Sequence, residues 1–210
     1  MPRVAHPSWH SPEALEPRQL LAFVLWDGGG GDTDWDNPLN WSGDALPGAA
    51  DHVLIDAPGS QTINRSHNTA ATIASLWTLD ALNISDGTLT ITGEWKQSAA
   101  LFMSGGRVAG NGNVLINGEA LWIGGEILGG GNILVYPGRQ LTIGGDVTLG
   151  KNLYNNGELR WSAGNLITDG GTIQNLSGRT FTILSTGTLS TTGPTTTLIN
   201  YGTLNREGPG

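Results

Sequence analysis

The 210-residue chain contains no cysteine and only two lysines, Lys96 and Lys151. The first absence excludes disulfides, thiolate metal sites and a cysteine nucleophile. Charged side chains make up 13% of the sequence, about half the usual share. Eighteen acids stand against ten basic residues, for a net charge of −8. An acidic chain so poor in cations is a weak match to nucleic acid or to anionic membranes, both of which favour cationic partners. Nor does any apolar run approach the roughly 20 residues of a membrane-spanning helix. Lys/Glu helix surfaces are missing as well.

What the chain does have is glycine: 33 residues, where average usage would place about 15. Each would cost a helix about 1 kcal/mol, so a helix-rich globule is excluded. The glycines do not fall on every third position, which excludes collagen. Leu, Ile and Val are plentiful and the net charge is modest, which excludes disorder. A glycine-punctuated, strand-rich fold remains.

Residues 1–20 hold four prolines and little periodicity, and read as a disordered or processed arm. The apolar run Leu20-Leu21-Ala22-Phe23-Val24-Leu25-Trp26 follows. At seven residues it is as short as a signal-peptide core can be, and no small-x-small cleavage site follows it. A first strand docked on the fold is the alternative. Within this region Leu15, Glu16, Pro17, Arg18, Leu20 and Leu21 resemble the LEPR-x-L-L segment near the start of many planctomycete surface and secreted proteins. The resemblance implies export, to the cell surface or beyond it.

A second pattern runs over residues 26–56. Trp26-Asp27-Gly28-Gly29, Trp35, Asn40-Trp41, Pro47-Gly48 and Asp51-His52-Val53-Leu54-Ile55 resemble the stretch that opens β-solenoid domains of bacterial adhesins and autotransporter-type passengers. A stack of β-coils has an open apolar end, and Trp26, Trp35 and Trp41 are suited to cover it.

From about residue 75 the sequence repeats. Leu82, Leu101, Leu121, Leu141, Leu159 and Phe181 recur every 18 to 22 residues. Each is followed two positions on by Ile84, Met103, Ile123, Ile143, Trp161 and Ile183. An offset of two points both side chains the same way from a strand. Gly87, Gly106, Gly125, Gly145, Gly164 and Gly187 mark the turn. A second strand follows with Leu89, Val108, Ile127, Val147, Leu166 and Leu189, and a third begins at Val114, Ile133, Leu153 and Ile173.

Short strands between glycine and asparagine turns predict an all-β, single-stranded parallel β-helix (β-solenoid) of about six to seven coils with a Trp/Gly-rich N-terminal cap. Asn113, Asn132 and Asn152, with Thr172 next in line, predict an amide ladder running from coil to coil. A leucine-rich repeat fits less well: Leu76, Leu79, Leu82 and Ile84 hint at one, but no later repeat keeps that spacing. The expected organisation is an export-associated arm over 1–25, a cap and first irregular coil over 26–74, solenoid repeats over 75–205 and an uncapped tail over 206–210. Such an ending reads as a fragment of a longer surface protein, whose further coils would be partners.

Chemistry is sparse. Asp32, Asp34 and Asp36 alternate as calcium-loop carboxylates do, but Asn37 and Gly43 stand where an EF-type loop needs glycine and glutamate. His6, His10, His52 and His67 show no metal spacing. No catalytic residue, cofactor or metal site is expected. The competing reading, a carbohydrate-active β-helix, would need acids and cations converging on one outer face. Alignment brings Glu119 beside Arg139 with Arg179 further along, and supplies no second carboxylate. Between the inward ladders lies an outward column, Asn83, Phe102, Trp122, Thr142, Arg160 and Thr182. There Phe102 and Trp122 would form an exposed platform for a sugar ring or a cell-surface protein. The expected function is that of an exported structural and adhesive rod. Aspartate at Ile123 or Ile143 is expected to unfold the neighbouring coils.

Overall fold

The protein is described here by a computed structural model covering residues 23–208. The LEPR-x-L-L residues Leu15, Glu16, Pro17, Arg18, Leu20 and Leu21, with His6 and His10, lie outside the described residues. The architecture is all-β, with parallel strands stacked as a β-solenoid of about eight turns. That is slightly more than the repeat indicated. His52–Ile55, Thr62–Arg65 and Ala70–Ile73 form the first irregular coil expected before residue 75, and the further addition is Phe23–Leu25, a strand stacked before it. Irregular loops between these early strands hide the period.

Each coil contributes three strands. The first face is an uninterrupted nine-stranded sheet: Phe23–Leu25, His52–Ile55, Ser75–Thr78, Trp95–Gln97, Val114–Ile116, Asn132–Val135, Asn152–Asn155, Thr172–Asn175 and Thr197–Asn200. Its register stacks Val53, Leu76, Trp95, Val114, Ile133, Leu153 and Ile173 in one buried column, as predicted from Val114 onward. The second and third faces merge where Leu101–Ala109 and Ala120–Ile127 run through the corner without a break. Burying apolar side chains column on column is worth about 25 cal/mol per Å2 and supplies the main stabilisation.

One coil departs from the expected phase. On the second face Leu101 pairs with Ala120, and Ala120 with Leu141; Met103 pairs with Trp122, and Trp122 with Ile143. Ala120 and Trp122 therefore point inward, and Leu121 and Ile123 outward. Trp122 is 2% exposed, Leu121 38% and Ile123 37%. A one-residue slip inverts every side chain of a strand, and here both phases are apolar. Alanine opposite two leucines leaves room for the indole two residues on, so the pair conserves core volume. The indole N–H donates to the Gly124 carbonyl at 2.9 Å. A second shift is milder: Ile127 pairs with Leu149, while Val147, Leu166 and Leu189 form the adjacent column. A two-residue shift leaves the buried face unchanged.

Glycine is required at the corners. Gly87, Gly106 and Gly125 hold φ of 71°, 67° and 80° on successive coils, a left-handed backbone that L side chains avoid. At Gly112 a Cβ would lie 1.3 Å from the Gly93 carbonyl oxygen, so stacking at that corner tolerates no side chain.

Polar ladders run beside the apolar ones. Asn132 Nδ2 donates to Asn113 Oδ1 at 3.2 Å, Asn152 Nδ2 to Asn132 Oδ1 at 3.1 Å, and the Thr172 backbone N–H to Asn152 Oδ1 at 2.9 Å. The predicted column is thus a hydrogen-bonded ladder. A second one starts from the buried Asn155 and Asn175 and ends at the exposed Asn200: Asn155 Nδ2 donates to Asn175 Oδ1 at 2.8 Å and Asn175 Nδ2 to Asn200 Oδ1 at 2.7 Å. The same amides donate to the carbonyls of Thr180 and Thr203, the first residues of second-face strands. Lys151 is buried, and its Nζ donates to the carbonyls of Gly110, Gly112 and Gly130, tying three coils together. Burial pushes its pKa down from the ordinary 10.5.

At the N-terminal end Trp26, Trp35 and Trp41 are buried together. The Trp41 ring meets Trp26 at 5.0 Å and Trp35 at 4.8 Å, edge-on in both cases. Residues 33–35 lie along the free edge of Thr62–Arg65 through the Asp34–Asn64 bridge. The three indoles thus close over the first coil.

Candidate ligand groove

The outer column of the second face reads Asn64, Asn83, Phe102, Leu121, Thr142, Arg160, Thr182 and Asn205. The expected Phe102–Trp122 platform is corrected by this register. Phe102 is half-buried beside Leu121, while Trp122 lies in the core. Among the described residues the accessible indole is instead Trp77 on the first face, 45% exposed with Lys96 Nζ 5.7 Å from its ring centroid.

Further along the second face the corner changes length from coil to coil. Five residues separate the buried Val135 from Leu141, three separate Asn155 from Leu159, and five separate Asn175 from Phe181. The longer corners are tight turns, closed by Arg139 N–H to Tyr136 O at 3.0 Å and Arg179 N–H to Leu176 O at 3.1 Å. Gly138 and Gly178 both hold φ of 72° in them. The short corner between is a notch, and its Gly157 admits nothing larger: a Cβ would stand 2.3 Å from Arg139 O and 2.4 Å from Tyr136 O.

A groove of about 680 Å3 results, lined by Arg139, Arg160 and Arg179, by Glu119, Glu158 and Glu207, and by hydroxyl and amide side chains including Gln140, Thr180 and Thr182. Glu119 and Arg139 do share this face, but Ala120 pairs with Leu141, so Glu119 falls opposite Gln140. The sequence alignment missed the second carboxylate because the one-residue phase shift moves Glu119 into the column of Gln140, where Glu158 also stands. Eight basic side chains lie within the described residues. Arg65 and Lys151 are buried, Arg107 pairs with Glu126, Lys96 covers Trp77 and Arg206 donates to Ser185 O. The other three all reach this groove. There Arg179 Nε donates to Asn156 Oδ1 at 3.0 Å. Among the described residues the ion pairs are Arg65–Asp36, His67–Asp34 and Arg107–Glu126, so the groove's charges remain available to a ligand.

The aspartate run in the cap serves the protein itself. Asp32 accepts from the Asp34 N–H and from the Asn37 and Asn40 side chains. These bonds, that from the Asp34 backbone foremost, hold its pKa below the ordinary 3.8. Asp36 accepts from the fully buried Arg65 guanidinium at 3.2 Å and from Thr69 Oγ1 at 2.8 Å. Asp34, Asp36 and His67 bring their ligand atoms within 4.8 Å of one another. Sequence spacing could not show this, since His67 arrives from the next coil. Calcium takes six to eight oxygen ligands. Two carboxylates and an imidazole beside a buried guanidinium do not supply them. His52 is engaged by Ser75 Oγ at 2.6 Å. Asp80, buried, accepts from the Ala57 and Gln61 N–H groups and pins that loop.

Comparison with protein-family models, with curated proteins and with solved structures found no match to this chain.

Proposed function

We propose that the chain is an exported structural and adhesive β-solenoid, a stiff spacer that presents its outer faces to a glycan or a cell-surface protein. The observation that carries this reading is the nine-stranded first face, whose register passes every coil without a gap. Such a stack bends little, because each coil is held by a full row of backbone hydrogen bonds and by buried columns on both sides. The LEPR-x-L-L resemblance supports export. Residues 1–25 fused to a reporter are expected to deliver it outside the cell, and retention inside would contradict that part. Adhesion is tested by applying the purified chain to a glycan array and to intact cells, with binding expected and failure on both refuting it.

The groove favours one other reading, a carbohydrate-active β-helix. Glu119 and Glu158 line it beside three arginines, and glycoside hydrolysis uses two carboxyl groups about 5–10 Å apart across the scissile bond. A turnover assay on every array ligand that binds separates the two. Binding without turnover is expected of the spacer, and product release would establish the enzyme.

A further inference from the structure

Resting on the surface-binding part of that reading, we propose that the notch between the Arg139 and Arg179 turns binds an acidic polysaccharide. In this site the carboxylates of a uronate chain engage the arginines and its hydroxyls engage the glutamates. Three features of the groove converge on this ligand. The first is charge placement: on a chain of net charge −8, three of the four arginines without a carboxylate partner among the described residues gather in one concavity. A guanidinium presents a planar fork of donors that matches a carboxylate bidentately.

The second is spacing. Arg139 and Arg179 stand at equivalent turns two coils apart, about 10 Å by the inter-strand rise, with Arg160 between them on the outward column. A regular polyanion laid along the solenoid axis meets all three in order. The third is the rest of the lining. Glu119, Glu158 and Glu207 accept hydrogen bonds, and Gln140, Thr180 and Thr182 both donate and accept. A sugar acid offers hydroxyl donors on each ring beside its anionic oxygens, whereas a phosphodiester linkage offers acceptors alone and leaves these glutamates without a donor. A protein partner would look for apolar or aromatic anchors, and the lining residues include none. The short corner with Gly157 at its base gives the chain a floor to lie on.

Calorimetric titration of the full chain with a polygalacturonate oligomer, a neutral dextran oligomer and poly-glutamate tests the assignment. The uronate is expected to bind, dextran to be silent and poly-glutamate to bind at least tenfold more weakly. Both Arg160→Gln and the double variant Arg139→Gln/Arg179→Gln are expected to weaken uronate binding at least tenfold with an unchanged melting temperature. Should those variants melt early, Arg139→Lys/Arg179→Lys keeps the charge and loses the fork, and an intermediate affinity is expected. Unaltered uronate affinity in the folded variants overturns the proposal. So does equal binding of poly-glutamate, which would mark an acidic protein as the partner, and so does failure of the uronate to bind. Array and cell binding by the same sample separates the readings. If the array or the cells bind the chain and the uronate does not, the groove assignment alone falls; if neither binds, adhesion falls with it.

Discussion

Trp122 and its neighbours show how much one residue decides. Inward Trp122 fills the column between Met103 and Ile143, and its indole N–H is satisfied by a carbonyl two residues on. Trp122→Ala is expected to cost about 3–5 kcal/mol, the range for removing a buried aromatic side chain. Ile143→Asp is expected to abolish the cooperative unfolding transition, and Ile123→Asp to leave it nearly in place, because Ile123 is partly solvated. Chemical denaturation of the three variants checks this ordering. Lys151 poses the opposite case, a charge taken out of water. Its ammonium bonds three corner carbonyls, and Lys151→Met takes that donor away from all three. A loss of about 1–3 kcal/mol is expected by the same assay.

At the scale of elements, the ladders and the cap hold adjacent coils in register. Asn155, Asn175 and Asn200 link three coils, and the first two also bind the carbonyls of Thr180 and Thr203 at the start of second-face strands. For Asn175→Ala, hydrogen exchange is expected to speed up over 152–206 and to stay slow before residue 135, because a solenoid coil contacts only its neighbours. The cap carries a pH dependence. Asp32 has its pKa lowered by hydrogen bonds in the folded state, so its contribution is complete above 3.8 and is lost as pH falls through the lower folded value. The Asp34 amide resonance is expected to titrate with a midpoint below 3.8, and the Asp32→Asn variant to lack that titration.

The repeat period and the Asn113–Asn132–Asn152 column were legible in the sequence, because both are local patterns that recur. The phase of the 120–123 strand was not: Leu121/Ile123 and Ala120/Trp122 are alike in hydrophobicity, and only volume matching across three coils separates them. The groove escaped for a related reason. In the misread phase Glu119 falls in the column of Arg139, whereas in the true register it stands opposite Gln140, as Glu158 does. Asp34–His67 and Arg65–Asp36 join residues about 30 positions apart, beyond any short motif.

For the whole molecule the account's central claim is stiffness along one axis, and the absence of cysteine makes it directly measurable. Leu54 and Gln174 occupy the same outward column of the first face, six strands apart. Six inter-strand spacings place their backbones about 29 Å apart. Cysteines introduced at these two positions and spin-labelled should yield, by pulsed dipolar spectroscopy, one narrow distance distribution near that value. A broad distribution, or one centred far from it, would contradict the stacked rod on which the functional proposals depend.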